Sequence, residues 1–240
     1  MIKITFITFI VLIFSNILSF SQINPDAQVY YDLGNAKANL SDYKSAIENF
    51  DLSISADTSF AEAYLSRAHI KANIGDFNGA LKDYNKVIQL RKNSHDAYYN
   101  RGLAYLNNEY YDKAIADFLK TIEIKNDYYI AYYYIGISYS NLKNYSNALE
   151  YYNKALANSF NYYYLYNSIG LAYFNLNKFN EAIENYDKAI AQNNNYCDAY
   201  YNRAQAKYKA NDLNGACADT KKAKQLGYFE ADVSIEKFCK

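Results

Sequence analysis

Ala46, Ala80, Ala114, Ala148, Ala182 and Ala216 stand 34 residues apart without an insertion or a deletion. A chain that repeats at this period does not build one central core. Each unit leaves an apolar face that only a neighbour can cover, so the structure grows by stacking. Counted from Ala27, six gapless units follow at 27–60, 61–94, 95–128, 129–162, 163–196 and 197–230. Residues 22–26 form a short lead-in, and no residue is left over for a linker. The expectation is one elongated array.

Inside each unit, apolar residues recur at helical spacing in two blocks. A short polar turn such as Gly75-Asp76 or Asn144-Tyr145 separates them, which predicts helix, tight turn, helix. The fourth place is always tyrosine, at Tyr30, Tyr64, Tyr98, Tyr132, Tyr166 and Tyr200. The eighth is small, at Gly34, Ala68, Gly102, Gly136, Gly170 and Ala204, as a close approach of two helices requires. The twentieth is the alanine. The twenty-fourth is aromatic at Phe50, Tyr84, Phe118, Tyr152 and Tyr186, with Thr220 breaking the series.

This arrangement resembles the tetratricopeptide repeat from residue 27 to about 230. The departures are tyrosine in place of the family's tryptophan, and Thr58, Lys92, Asn126, Phe160 and Asn194 where its proline would stand. The one proline, Pro25, precedes the first helix. The resemblance implies an all-α, right-handed superhelical solenoid of six helix-turn-helix repeats. Tyr228–Lys240 is too short for a seventh unit, but Ala231, Ile235 and Phe238 share one helical face, so residues 228–240 are expected to form a capping helix.

Comparing the units with one another exposes a second pattern. Arg67, Arg101 and Arg203 occupy the seventh place of units two, three and six, and the same units carry Asp83, Asp117 and Asp219 sixteen residues later. Units one, four and five have neither: Leu33, Ile135 and Ile169 replace the arginine, and Asn49, Tyr151 and Asn185 replace the aspartate. The joint presence predicts three ion pairs, each joining the two helices of one unit. If the cap runs antiparallel to the last helix about Gly227-Tyr228, Cys217 and Cys239 come level. They are then either a disulfide or two buried thiols, and Cys197 is expected to be a small buried residue.

Residues 1–21 have one lysine, an apolar run from Ile4 to Phe14, and Ser19 and Ser21 in small-x-small spacing before Gln22. That layout is expected of a signal peptide, hence an exported chain, periplasmic or secreted. The alternative is a retained membrane anchor, the only route by which a membrane would be a partner. Charges balance at 25 and 25, which gives no basic footprint for nucleic acid. His69 and His95 lack the spacing of a metal site, and no nucleophile motif or phosphate-cradling loop is present. The expectation is a chain that is not an enzyme, with no cofactor and no metal.

By the resemblance, first helices line a concave face, and places two, five, six, nine, twelve and thirteen point into it. Across units three to five these are largely apolar: Tyr99, Leu103, Leu106, Ile130, Tyr133, Tyr134, Ile137, Tyr164, Leu171 and Phe174. The ends are polar, with Asp32, Asn35, Glu62 and His69 on one side and Asp198, Asn202 and Lys209 on the other. Such a surface either recognises a protein or peptide partner, or merely fills the space between adjacent first helices. Asn100 and Asn202 are candidate polar contacts beside the anchors Tyr99, Tyr133, Tyr134, Ile137, Tyr164 and Phe174. A glycan stacked on the tyrosines, or a substrate-recruiting role in an envelope complex, is the alternative. Asn39, Asn73, Asn107, Asn141 and Asn175 form a ladder at place thirteen that reads better as helix ends than as ligand contacts.

Overall fold

The computed structural model describes residues 24–158, 162–229, 231, 238 and 239. The leader, Phe160 and Ile235 lie outside the described residues. Among those described there are twelve helices: α1 Pro25–Asn39, α2 Tyr43–Ala56, α3 Ala61–Asn73, α4 Phe77–Leu90, α5 His95–Asn107, α6 Tyr111–Ile124, α7 Ile130–Asn141, α8 Tyr145–Ala157, α9 Tyr163–Asn175, α10 Phe179–Gln192, α11 Cys197–Lys209 and α12 Leu213–Gln225. They pair as six helix-turn-helix repeats, odd-numbered helix first. Pro25 is the first residue of α1, not a residue ahead of it, with Asn24 as its N-cap. Two compact units divide at Lys92 and Asn93: α1–α4 belong to one, α5–α12 to the other.

The turn within each repeat has a single chemistry. At place fifteen the backbone turns left-handed in every repeat, at Ser41, Gly75, Glu109, Lys143, Asn177 and Asn211. The next amide then donates back across five residues to the first helix, as Tyr110 N does to Tyr105 O at 2.9 Å and Asp212 N to Lys207 O at 2.8 Å. This is the Schellman closure. It is why the first helices end at the asparagine ladder; Asn141 and Asn175 use their amides on the carbonyls of Ile137 and Leu171, four residues back. The second helix is then started by Asp42, Asp76, Asn144 and Asp212, each accepting from the amide three residues on.

The six period-marking alanines are all fully buried. Beside them the place-twenty-four ring lies on the place-eight residue: a Cβ at Gly102 would stand 2.8 Å from Phe118, and one at Gly136 2.4 Å from Tyr152. The small residue therefore seats an aromatic ring, which is a narrower role than helix approach. In the last repeat Thr220 replaces the ring, and Phe238 packs with Ala204 and Ala216 while stacking on Tyr208 at 4.4 Å. Ala231 and Phe238 are buried, and Cys217 and Cys239 form a disulfide with their Cα atoms 4.9 Å apart. Cys197 is free and half-buried, contrary to the buried place expected of it, because the start of α11 is only partly covered.

Arg67 donates to Asp83 from Nε at 2.8 Å and Nη2 at 2.6 Å; Arg101 meets Asp117, and Arg203 meets Asp219, by the same fork. The pairs are not confined to one unit, as their spacing had suggested. Arg67 also pairs with Asp51, and Arg203 with Asp187 at 2.5 Å, so both guanidinium groups bridge successive repeats. A second cation joins two of the acids, Lys71 on Asp83 and Lys207 on Asp219, each at 2.8 Å. In the third repeat Tyr105 stands where those lysines would, and burial pushes the Asp117 carboxyl above its ordinary range against the opposing hydrogen bonds and charge of Arg101. The fourth repeat has an aromatic substitute, Tyr139 stacked on Tyr151 at 5.5 Å.

Asp83→Ala is expected to cost about 3–5 kcal/mol, since it strips a buried carboxylate from two cations, and Asp117→Ala is expected to cost less. Replacing Arg101 and Asp117 together by leucine should recover most of the loss. Urea unfolding of the four proteins checks this order, and equal losses at Asp83 and Asp117 would contradict it. Glu109→Gly should gain about 1 kcal/mol in the same assay, because glycine accepts the left-handed backbone without a Cβ clash.

Candidate protein-binding face

Within the unit formed by α5–α12, the first helices of neighbouring repeats meet directly: α5 with α7, α7 with α9, and α9 with α11. Their seam is aromatic. Tyr99 on α5 lies 5.9 Å from Tyr134 on α7, and Tyr134 stacks at 5.6 Å on Phe118, the ring already seated on Gly102. Tyr134 meets Tyr133 at 5.4 Å, and Tyr133 reaches Tyr164 on α9 at 5.3 Å. The result is one run of phenols, Tyr99, Tyr134, Tyr133 and Tyr164, joining three first helices. Each such contact adds about 0.5–1.5 kcal/mol beyond the area it buries.

All four rings are half-buried, as is Ile137, which packs against the same buried cluster, Tyr152 and Leu165 included, as Tyr133 and Tyr164 do. The rings meet across the helix contacts and each keeps part of its surface in solvent. Burial pushes the phenols of Tyr99, Tyr133 and Tyr164 above their ordinary range, which widens the alkaline range over which these groups stay neutral. Ser168 on α9 donates its hydroxyl to the Tyr164 carbonyl at 2.9 Å, a bond within its own helix.

The remaining expected site residues are placed differently. Phe174 stands apart from the run: it packs with Tyr186 and Ala206 and meets Phe179 edge-on at 5.6 Å. Asn100 donates its amide to the Asp96 carbonyl at 2.8 Å, a bond within its own helix. Asn202 donates to Asn167 at 3.0 Å, and Asn167 donates to the Tyr196 hydroxyl at 3.3 Å. The first-named polar candidates thus spend a donor on the protein. Asn167 went unnoticed in the sequence, although it is the one polar residue at place five in units three to five, where Tyr99 and Tyr133 are its counterparts.

Comparison with known proteins follows the same geometry. Tetratricopeptide-repeat profiles match residues 27–60, 95–128 and 129–161, and a TPR-repeat profile matches residues 70–109 and 170–211. No curated protein sequence matches the chain. Among solved structures, MamA protein is 28% identical over 70% of this chain and 91% of its own, with a TM-score of 0.65. YrrB, described as a TPR protein with an unusual peptide-binding site, is 22% identical over 78% of this chain and 97% of its own, at 0.64. PilF of Pseudomonas aeruginosa is 15% identical over 89% and 96%, at 0.73, a likeness of fold alone.

Asn167→Ala is expected to lower stability by about 1–3 kcal/mol, since it removes the partner of both Asn202 and Tyr196 in a buried place. Amide-proton exchange at the start of α11 should rise with it; an unchanged melting midpoint would contradict the assignment. The profile matches and the six helix pairs closed by one turn chemistry agree, and the chain belongs to the tetratricopeptide-repeat family.

Proposed function

We propose that the protein is a non-catalytic interaction scaffold whose first-helix face, from α5 to α9, takes an extended or helical protein segment through aromatic and aliphatic anchors. The carrying observation is the run Tyr99, Tyr134, Tyr133 and Tyr164, in which each ring contacts another and each residue is only half-buried. Rings fixed by packing lose little conformational freedom when a ligand covers them, so the contact area converts to affinity more fully than that of mobile side chains. Ile137 supplies an aliphatic contact at the centre. Tetratricopeptide-repeat proteins generally bind protein partners and are generally non-catalytic, and YrrB is a relative in fold described with a peptide-binding site.

A glycan reading needs side-chain amides to address hydroxyl groups, and Asn100 and Asn202 have each committed an amide hydrogen elsewhere. The protein-segment reading relies on them less. We also propose that the chain works outside the cytoplasmic membrane. The leader-like residues 1–21 support this, and so does the Cys217–Cys239 bond, since disulfides persist in oxidising compartments.

Peptide-library selection against the chain without residues 1–21 tests the binding face. Enriched sequences are expected to carry two or more aromatic or aliphatic anchors. Ile137→Glu should weaken them at least tenfold, about 1.4 kcal/mol, at unchanged helicity, and Lys209→Glu should not. Enrichment without such anchors, or equal binding by the Ile137→Glu protein, would sink the reading.

A further inference from the structure

A cleft of about 440 Å³ opens between α2, α3 and α4, lined by Ile54, Tyr64, Arg67, Lys82, Asp83 and Lys86 among others. Its floor is electrically satisfied: the Asp83 side chain is 1% exposed and holds both Arg67 and Lys71, and Arg67 also holds Asp51. Its rim is not. Lys82 and Lys86 stand one turn apart on α4, and neither has an ion-pair partner among the described residues. Lys86 Nζ lies 6.0 Å from the centre of the Tyr64 ring, and the Arg67 guanidinium lies 5.5 Å from the same ring centre.

The other repeats show what the array ordinarily does at these two places. The twenty-sixth residue is Lys86, Lys120, Lys154, Lys188 or Lys222 in repeats two to six, whereas the twenty-second is Glu48, Lys82, Ala116, Glu150, Glu184 or Ala218. Where glutamate precedes lysine by four the pair can close, as Lys154 does on Glu150 at 2.7 Å; Lys120 finds Glu123 instead at 2.6 Å. Only the second repeat has lysine at both places, four residues apart on one helix face, an arrangement that repels. That reversal sits on the rim of a cleft whose own acids are already neutralised. Two adjacent positive charges at the mouth of a cleft raise the local concentration of anions.

We propose that this cleft binds a compact oxyanion, phosphate or carboxylate, between Lys82 and Lys86, with any apolar part of the ligand against Ile54 and Tyr64. Inorganic phosphate and acetate are the probes, each compared with sodium chloride at equal ionic strength by melting midpoint and backbone-amide NMR. At least one oxyanion is expected to raise the midpoint above the chloride series and to move the Lys82 and Lys86 amide signals along a saturable curve. A response to phosphate alone identifies a phosphoryl ligand, and to acetate alone a carboxylate. Lys82→Glu, which restores the pattern of the fourth repeat, should raise the midpoint in chloride and abolish the saturable shift. Lys188→Glu, on an exposed turn of α10, should leave the shift intact. Midpoints that follow ionic strength alone in every salt, or a saturable shift that survives Lys82→Glu, would overturn the site.

Discussion

The seating of an aromatic ring on a place-eight glycine, made in four of the six repeats, is the contact on which the rest of the structure depends. Phe50, Phe118, Tyr152 and Tyr186 lie against Gly34, Gly102, Gly136 and Gly170 closely enough that an added methyl group would overlap the ring. Because ring and glycine come from the two helices of one repeat, the contact sets their spacing, and the buried alanine one turn before the ring completes it. Tyr134 then stacks on Phe118, so the ring that closes one repeat also supports the exposed seam with the next. Stacking and recognition share a surface.

The charged clamps are a second layer, used only where the first-helix side chain is arginine. They differ in strength in a way the chain itself explains. Asp83 and Asp219 each gather two cations, whereas Asp117 has tyrosine in place of the lysine and its carboxyl is pushed up by burial. Arg67 and Arg203 reach into the preceding repeat, at Asp51 and Asp187. Each of these arginines is also stacked on the tyrosine three residues before it, at 5.5 Å for Arg67 and 5.4 Å for Arg203. Such a bridge resists sliding between repeats as well as separation of two helices, which matters for an array with no proline at the repeat ends.

Period, helix pairs, small and aromatic places, and the arginine-aspartate spacing were legible because each recurs at a fixed interval and is local in sequence. The bridging acids were legible too, had the spacing been read in both directions: Asp51 and Asp187 stand sixteen residues before Arg67 and Arg203. The left-handed turns were not, because Glu109 and Lys143 carry no mark of that backbone conformation. Their conformation is imposed by the Schellman closure and not by residue type. Of the candidate face, the phenols could be named but not their mutual arrangement. Whether Tyr133 meets Tyr164, or Phe174 joins them, depends on side-chain directions between helices 31 or more residues apart in the chain. Asn167 was hidden for the same reason, its partners being Tyr196 at the far end of its own repeat and Asn202 in the following one.

What is constant from repeat to repeat builds the stack, and what varies distinguishes one stretch of surface from another. The aromatic seam of α5, α7 and α9 is therefore where a partner should lie. Site-specific photocrosslinking tests this most directly, with a benzophenone side chain placed in turn at Ile137 on α7 and at the exposed Leu119 on α6. The account predicts a discrete protein adduct from Ile137 and none from Leu119. Adducts from Leu119 alone would put the binding surface on the second helices and contradict it.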